Sequence, residues 1–167
     1  MSIVFNADEI FEIAEDIERN GAAFYRRAAE AVAEENSSEG KLFLELAERE
    51  DDHEKFFKAL RAELTQKEMD STTFDPDDEG SKYLKAMADG HIFDTRQDPS
   101  KLFETQPSMG DILRVAIECE KDSVVFYAGM KRLVPDELGK AKLDGIIDEE
   151  VRHVMDLTGL LRVFGEK

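Results

Sequence analysis

Apolar residues recur along this chain at offsets of three, four and seven in four long stretches, the spacing of one face of an α-helix. The first stretch runs from about Asn6 to Glu35, with Asn6 placed to cap it and Glu9 three residues on, at capping-box spacing. The second runs from Ser37 or Ser38 to about Leu64, the third from about Ser108 to a point before Pro135, and the fourth from about Asp136 to Phe164. The four prolines, at 76, 99, 107 and 135, all lie outside these stretches, as expected of an all-helical protein, because proline breaks helix interiors.

The loops near residues 36 and 135 are short, so the helices pair as two antiparallel hairpins, residues 6–64 and 108–164. Between them lie about 43 residues, Thr65 to Pro107, which are polar, hold three prolines and include one weakly helical piece, SKYLKAMADG. A connection of that length can run back along a bundle. The expected architecture is an all-α four-helix bundle whose two hairpins are joined by one long crossover with a short extra helix, residues 1–167 forming one domain.

Each apolar stripe carries charge at a matching place. Glu18 shares a face with Phe11, Ala14, Ala22, Tyr25 and Ala29; Glu50 and His53 share one with Phe43, Leu46, Ala47, Phe57 and Leu60. Glu120 sits among Leu113, Ala116, Ile117, Val124 and Tyr127; Glu150 and His153 sit among Leu143, Ile146, Ile147, Leu157 and Leu160. An uncompensated carboxylate inside a protein costs several kcal/mol or more. No Lys or Arg recurs on these stripes, so metal ions are the simplest compensation: two divalent cations cancel four carboxylates.

The two halves also repeat. Glu18-x6-Tyr25 in IERNGAAFY matches Glu120-x6-Tyr127 in CEKDSVVFY, and Glu50-x2-His53 in EREDDH matches Glu150-x2-His153 in DEEVRH. Glu50 follows Glu18 by 32 residues and Glu150 follows Glu120 by 30. Two similar hairpins about a pseudo-twofold axis would each give one Glu and one Glu-x-x-His to a shared centre, the ligand set of dimetal carboxylate bundles.

Composition narrows the function. Hydrophobic residues make up 41% of the chain, enough for a packed core, and 39 Asp and Glu against 22 Lys and Arg give a formal charge of −17. Such an acid excess repels phosphate backbones and anionic lipid, arguing against nucleic-acid and membrane-surface partners. No apolar run approaches the roughly 20 residues of a membrane span, and the start, MSIVFNADEIF, lacks a basic region, so no secretory signal is expected. One cysteine, Cys119, allows neither an internal disulfide nor a four-thiolate site, and a cytoplasmic setting fits best.

These four segments resemble the diiron domain of rubrerythrin, within the ferritin-like superfamily, over nearly the whole chain apart from the crossover. The resemblance implies that Glu18, Glu50, His53, Glu120, Glu150 and His153 bind two iron ions, with Glu50 and Glu150 bridging. It implies that Tyr25 and Tyr127 hydrogen-bond ligand carboxylates. Two departures stand out. Rubrerythrins often carry a further Glu on the third helix, one turn after the first, where this chain has Ser123. The departure sets this chain apart from the family's redox-linked metal movement and points to a more symmetric, bacterioferritin-like centre. The chain also ends after the fourth helix, without the four-cysteine rubredoxin module, so an external electron donor such as a rubredoxin-like protein is expected. The resemblance also implies a homodimer.

Four carboxylates and two imidazoles form an oxygen-rich site that suits iron or manganese, with zinc a possible substitute. A carboxylate bridge holds two metals roughly 3.5–4 Å apart, a separation across which O2 or hydrogen peroxide can take one electron from each ion. The leading expectation is a diiron oxidoreductase that reduces hydrogen peroxide or O2 and protects against oxidants. Iron handling with ferroxidase behaviour, and a helical scaffold merely stapled by metal, are the alternatives.

Other residues read more simply. Glu149, at i+4 to His153, is a solvated charge or a carboxylate that orients a ligand histidine. Glu118 points away from Glu120 and belongs at the surface. Cys119 packs at a helix flank, His91 is a polar residue of the crossover, and the acidic run Asp75 to Gly80 fails the EF-hand pattern at Ala86.

Overall fold

The computed structural model describes residues 7–32, 37–66, 82, 99–131 and 140–164. Four α-helices carry the fold: α1 (Ala7–Ala31), α2 (Ser38–Ala62), α3 (Met109–Met130) and α4 (Lys140–Phe164). Two of the starts follow from side-chain caps. Ser37 accepts a hydrogen bond from the Gly40 amide at 3.0 Å and opens α2. Ser108 opens α3 in a reciprocal capping box, its hydroxyl accepting from the Asp111 amide at 3.2 Å while Asp111 accepts from the Ser108 amide at 3.1 Å. The expected Asn6 cap, the helical piece at 81–90 apart from residue 82, the acidic run at 75–80, His91, Ala86 and the loop at 132–139 lie outside the described residues.

The helices bury their stripes in two apolar clusters, one at each end of the bundle. One joins Ala7, Ile10, Phe11 and Ala14 of α1 to Phe57 and Leu60 of α2, Phe126, Tyr127 and Met130 of α3, and Leu143 and Ile146 of α4. The other joins Phe24, Tyr25 and Ala28 to Phe43, Leu46 and Ala47, to Ile112, Leu113, Ala116 and Ile117, and to Leu157. Each fully buried large side chain contributes about 1.5–3 kcal/mol relative to exposure. The start of α1 thus packs with the end of α2, the end of α3 and the start of α4. Within each hairpin the helices run antiparallel, and α1 runs antiparallel to α3. Leu64, just past α2, belongs to the first cluster, and Ile112, at the start of α3, belongs to the second. The chain therefore leaves α2 at one end of the bundle and enters α3 at the other.

One element of that crossover differs from the expectation of a merely polar connection. A 3-10 helix, Pro99–Thr105, packs on α1, with the Phe103 ring 5.3 Å from that of Phe24. Its period of three leaves no α-helical stripe in the sequence, yet Leu102 and Phe103 cover the second cluster. Surface ion pairs such as Arg19 with Glu54 at 2.9 Å are worth little individually. Among the described helices none is long and apolar enough to cross a membrane.

Candidate metal centre

Between the two apolar clusters lies a layer of buried charge. Glu18 projects from α1, Glu50 and His53 from α2, Glu120 from α3, and Glu150 and His153 from α4. None of the six is more than 7% exposed. The i, i+3 spacing of each Glu-x-x-His places both side chains on the same face one turn apart.

Their donor atoms form two overlapping sets. Glu18, Glu50, His53 and Glu150 offer atoms within 4.8 Å of one another, and so do Glu50, Glu120, Glu150 and His153. The shared members are Glu50 and Glu150. His53 Nδ1 lies 2.9 Å from Glu150 Oε1 and 3.3 Å from Glu18 Oε2. His153 Nδ1 lies 2.9 Å from Glu150 Oε2 and 3.5 Å from Glu120 Oε2. The two imidazoles stack with centroids 6.4 Å apart.

The electrostatics of this layer are unfavourable without a cation. Burial pushes Glu18 and Glu50 well above the usual carboxylate range, and the charge of Glu150 adds to both shifts. Burial and the charge of Glu150 push Glu120 up to about 8. Burial also opposes ionisation of Glu150, but hydrogen bonds from His153 and His53 outweigh it and hold that carboxyl below its ordinary value. Burial would lower the two histidines; their carboxylate partners reverse this and raise His53 to about 9 and His153 to about 10.

The residues fit a metal pair on a direct observation. Glu18 Oε2, Glu50 Oε1, Glu150 Oε1 and His53 Nδ1 are buried and, beyond the histidine–carboxylate contacts within the layer, make no hydrogen bond, although a buried polar atom is ordinarily satisfied from outside such a cluster of like charge. All four belong to the layer and to one of the four-residue sets. A donor set of four carboxylates and two imidazoles suits two divalent ions.

The two tyrosines cross the bundle. Tyr127 donates to Glu18 Oε1 and Tyr25 donates to Glu120 Oε1, so each hairpin orients a carboxylate of the other. Burial raises both phenols well above their ordinary value, with the charge of Glu18 adding at Tyr127 and that of Glu120 at Tyr25. Both hydroxyls therefore remain protonated donors. Tyr127→Phe is expected to leave a buried Glu18 oxygen short of its partner and to destabilise the metal-free protein by about 1–3 kcal/mol. The urea midpoint should fall at unchanged m; a midpoint equal to that of the parent protein would refute the assigned bond.

The remaining expectations can be placed. Ser123, where a further Glu is often found, is buried and donates to the Cys119 carbonyl at 3.1 Å. Cys119 is half-buried, and burial pushes its thiol up to about 12, consistent with an inert packing residue. Glu118 is exposed and pairs with Lys121 at 2.8 Å. Glu149 is half-buried and approaches His53 of the opposite hairpin, Oε2 to Nε2 at 3.3 Å, rather than His153 on its own helix.

Two features were not anticipated. Gly21, three residues after Glu18, has no side chain because Glu50 occupies that space: a Cβ there would lie 2.9 Å from Glu50 Oε2. A glycine inside a helix, where it costs about 1 kcal/mol relative to Ala, was the available signal. Arg61 forms a fork on Asp8 at 2.6 and 3.0 Å, with Glu15 3.5 Å away. This ion cluster ties α1 to α2 at one end of the bundle and takes no part in the metal layer.

Comparison with known proteins bears on the fold and the family. No curated protein matches the chain. A solved structure of a ferritin-like diiron-carboxylate protein from Thermotoga maritima superposes with a TM-score of 0.69 at 25% identity, covering 95% of each chain. The fold is therefore the ferritin-like four-helix arrangement. The rubrerythrin family model matches residues 9–106, more than half of the chain and including Glu18, Glu50 and His53, and on that match the protein belongs to the rubrerythrin family.

Proposed function

We propose that the protein is a non-haem diiron oxidoreductase that reduces hydrogen peroxide, or O2, with electrons from an external donor such as a rubredoxin-like protein. The observation that carries the reading is the pair of overlapping buried donor sets sharing Glu50 and Glu150, with orphaned atoms in both hairpins. Family membership supports oxidoreductase chemistry in general. The diiron description of the Thermotoga maritima structure supports iron as the resident metal.

Glu18 and His53 would hold one ion and Glu120 and His153 the other, with Glu50 and Glu150 between them. Held there in the ferrous state, the two ions would supply the two electrons that, with two protons, are needed to convert one hydrogen peroxide to two waters. The chain's own residues do the rest. Four carboxylates neutralise the ions and favour the higher oxidation state. Tyr127 and Tyr25 keep Glu18 and Glu120 in fixed orientation through their protonated hydroxyls. The apolar clusters above and below exclude bulk water from the layer. The oxidant-defence role and a cytoplasmic setting belong to the same reading, supported by a lone cysteine that is free and half-buried.

Anaerobic titration of the ferrous-loaded protein tests it. One equivalent of hydrogen peroxide per chain is expected to oxidise two ferrous ions, seen as near-ultraviolet absorption, and a reductant should restore the starting spectrum. A ferrous spectrum unchanged by stoichiometric peroxide would exclude peroxide reduction. Retention of many more than two irons per chain after aerobic loading would favour iron handling instead.

A further inference from the structure

The internal repeat is broken beside the metal layer. Aligning Glu50 with Glu150 and His53 with His153 sets Arg49 against Glu149. These residues differ in charge, and the difference falls on the two histidines unequally.

His53 Nδ1 faces inward, toward Glu18 and Glu150, and is one of the orphaned atoms of the layer. Its other nitrogen, Nε2, faces Glu149 Oε2 at 3.3 Å. With Nδ1 free to bind metal, Nε2 must carry the hydrogen and donate it to the carboxylate. A carboxylate on the distal nitrogen fixes the tautomer and ring orientation and makes the inward nitrogen a stronger base. Glu149 comes from α4 and His53 from α2, so the contact also joins the two hairpins across the centre.

His153 has no equivalent carboxylate partner among the described residues. Among the described residues its polar contacts all run through Nδ1, to Glu50, Glu120 and Glu150. The position that corresponds to Glu149 holds Arg49, which is exposed. A guanidinium cannot accept a hydrogen bond from an imidazole, and its charge opposes rather than strengthens donation to a cation.

We propose that Glu149 is a positioning residue for His53 alone, and that the two halves of the metal centre are consequently inequivalent, with the His53 side binding a divalent ion first and more tightly. The inference rests on the metal-binding reading above and adds an order of filling to it. It requires the asymmetry to follow the charge at positions 149 and 49 rather than the sharing of Glu50 and Glu150, which is common to both sides.

Stepwise titration of the metal-free full chain with Co(II), followed by d–d absorption against a competing chelator, reads the two constants. The parent protein is expected to show two steps separated by roughly 10–100-fold, the range over which such outer partners act. Glu149→Ala should weaken the first step by about that factor and leave the second in place, so that the steps merge. Glu149→Asp should restore part of the separation. Arg49→Glu should strengthen the second step and also narrow the gap. Positions 149 and 49 are half-buried and exposed, and melting of each metal-free variant at the parent temperature verifies that folding is intact. Two indistinguishable steps in the parent protein, or a first step untouched by Glu149→Ala, overturns the proposal while leaving the dimetal reading standing. Binding of fewer than two ions by the parent protein overturns both.

Discussion

Filling the centre with two divalent ions is expected to raise the melting temperature by on the order of 10–20 °C near neutral pH. Ligand that binds only the folded state at 100 times its dissociation constant stabilises by about 2.7 kcal/mol per site. For a chain of this size each kcal/mol shifts melting by about 2–4 °C. The gap should also depend on pH, with a sign fixed by the charge layer. Glu120 titrates at about 8 in the folded protein, and His53 and His153 at about 9 and 10. All three are raised, so the folded metal-free protein holds protons that the unfolded chain has released. Stability from the histidines is complete below about pH 6.5 and is lost as pH climbs through 9 and 10; that from Glu120 starts to fall above about 4.5. Each such proton costs about 1.4 kcal/mol per pH unit. Glu150 acts in the opposite sense, because its carboxyl is held low; its contribution is lost only in more acid solution, below the ordinary range for Glu. The metal-free protein should therefore melt on the order of 10 °C lower at pH 9 than at pH 6. The loaded protein should hold steady over that interval, since metal replaces those protons. Scanning calorimetry with and without chelator reads both curves, and parallel curves from pH 6 to 9 would contradict the assignment of the layer as a cation site.

Gly21→Ala is expected to separate folding from metal binding. In the helix interior the change favours the fold by about 1 kcal/mol. The new Cβ, however, would stand 2.9 Å from Glu50 Oε2, 3.2 Å from Cδ and 3.3 Å from Cγ. The far end of a flexible side chain can swing away, so the metal-free protein tolerates the methyl group. The loaded protein does not, because Glu50 belongs to both donor sets. Roughly a tenfold loss at each ion, the lower end of what disturbing a ligand's surroundings costs, removes about 2.7 kcal/mol in total. The variant should melt about 2–4 °C higher without metal and several degrees lower with it. Gly145→Ala is the control: on α4 an added Cβ meets nothing within 4 Å, so both forms should gain equally. A Gly21→Ala protein that matches its control in both forms would show that Glu50 has room to spare.

Much of this was legible in the chain itself, and the reason is the cost of burying charge. Glu18, Glu50, Glu120 and Glu150 sit on stripes otherwise filled by Phe, Leu, Ile and Ala, and that violation marked the centre before any coordinates. Helix starts at Ser37 and Ser108 were readable because short hydroxyl side chains act on their own backbone. What escaped depends on approach between distant elements. The 3-10 helix at 99–105 has too few turns to show periodicity, and only packing on Phe24 reveals its role. Glu149 lies one turn from His153 along α4, and nothing in the spacing points to His53, which faces it from the other hairpin. The purpose of Gly21 is likewise invisible until Glu50 is seen filling the place of its missing side chain.

The crossed tyrosine bonds carry a consequence for ancestry. Tyr25 serves a carboxylate of the second hairpin and Tyr127 one of the first, and α1 meets α3 head to tail. A gene encoding only one such helix pair, associating with its own copy about a twofold axis, would assemble the same six ligands and both phenol contacts. Duplication and fusion of that gene would then have freed positions 49 and 149 to diverge, which an exact homodimer never permits.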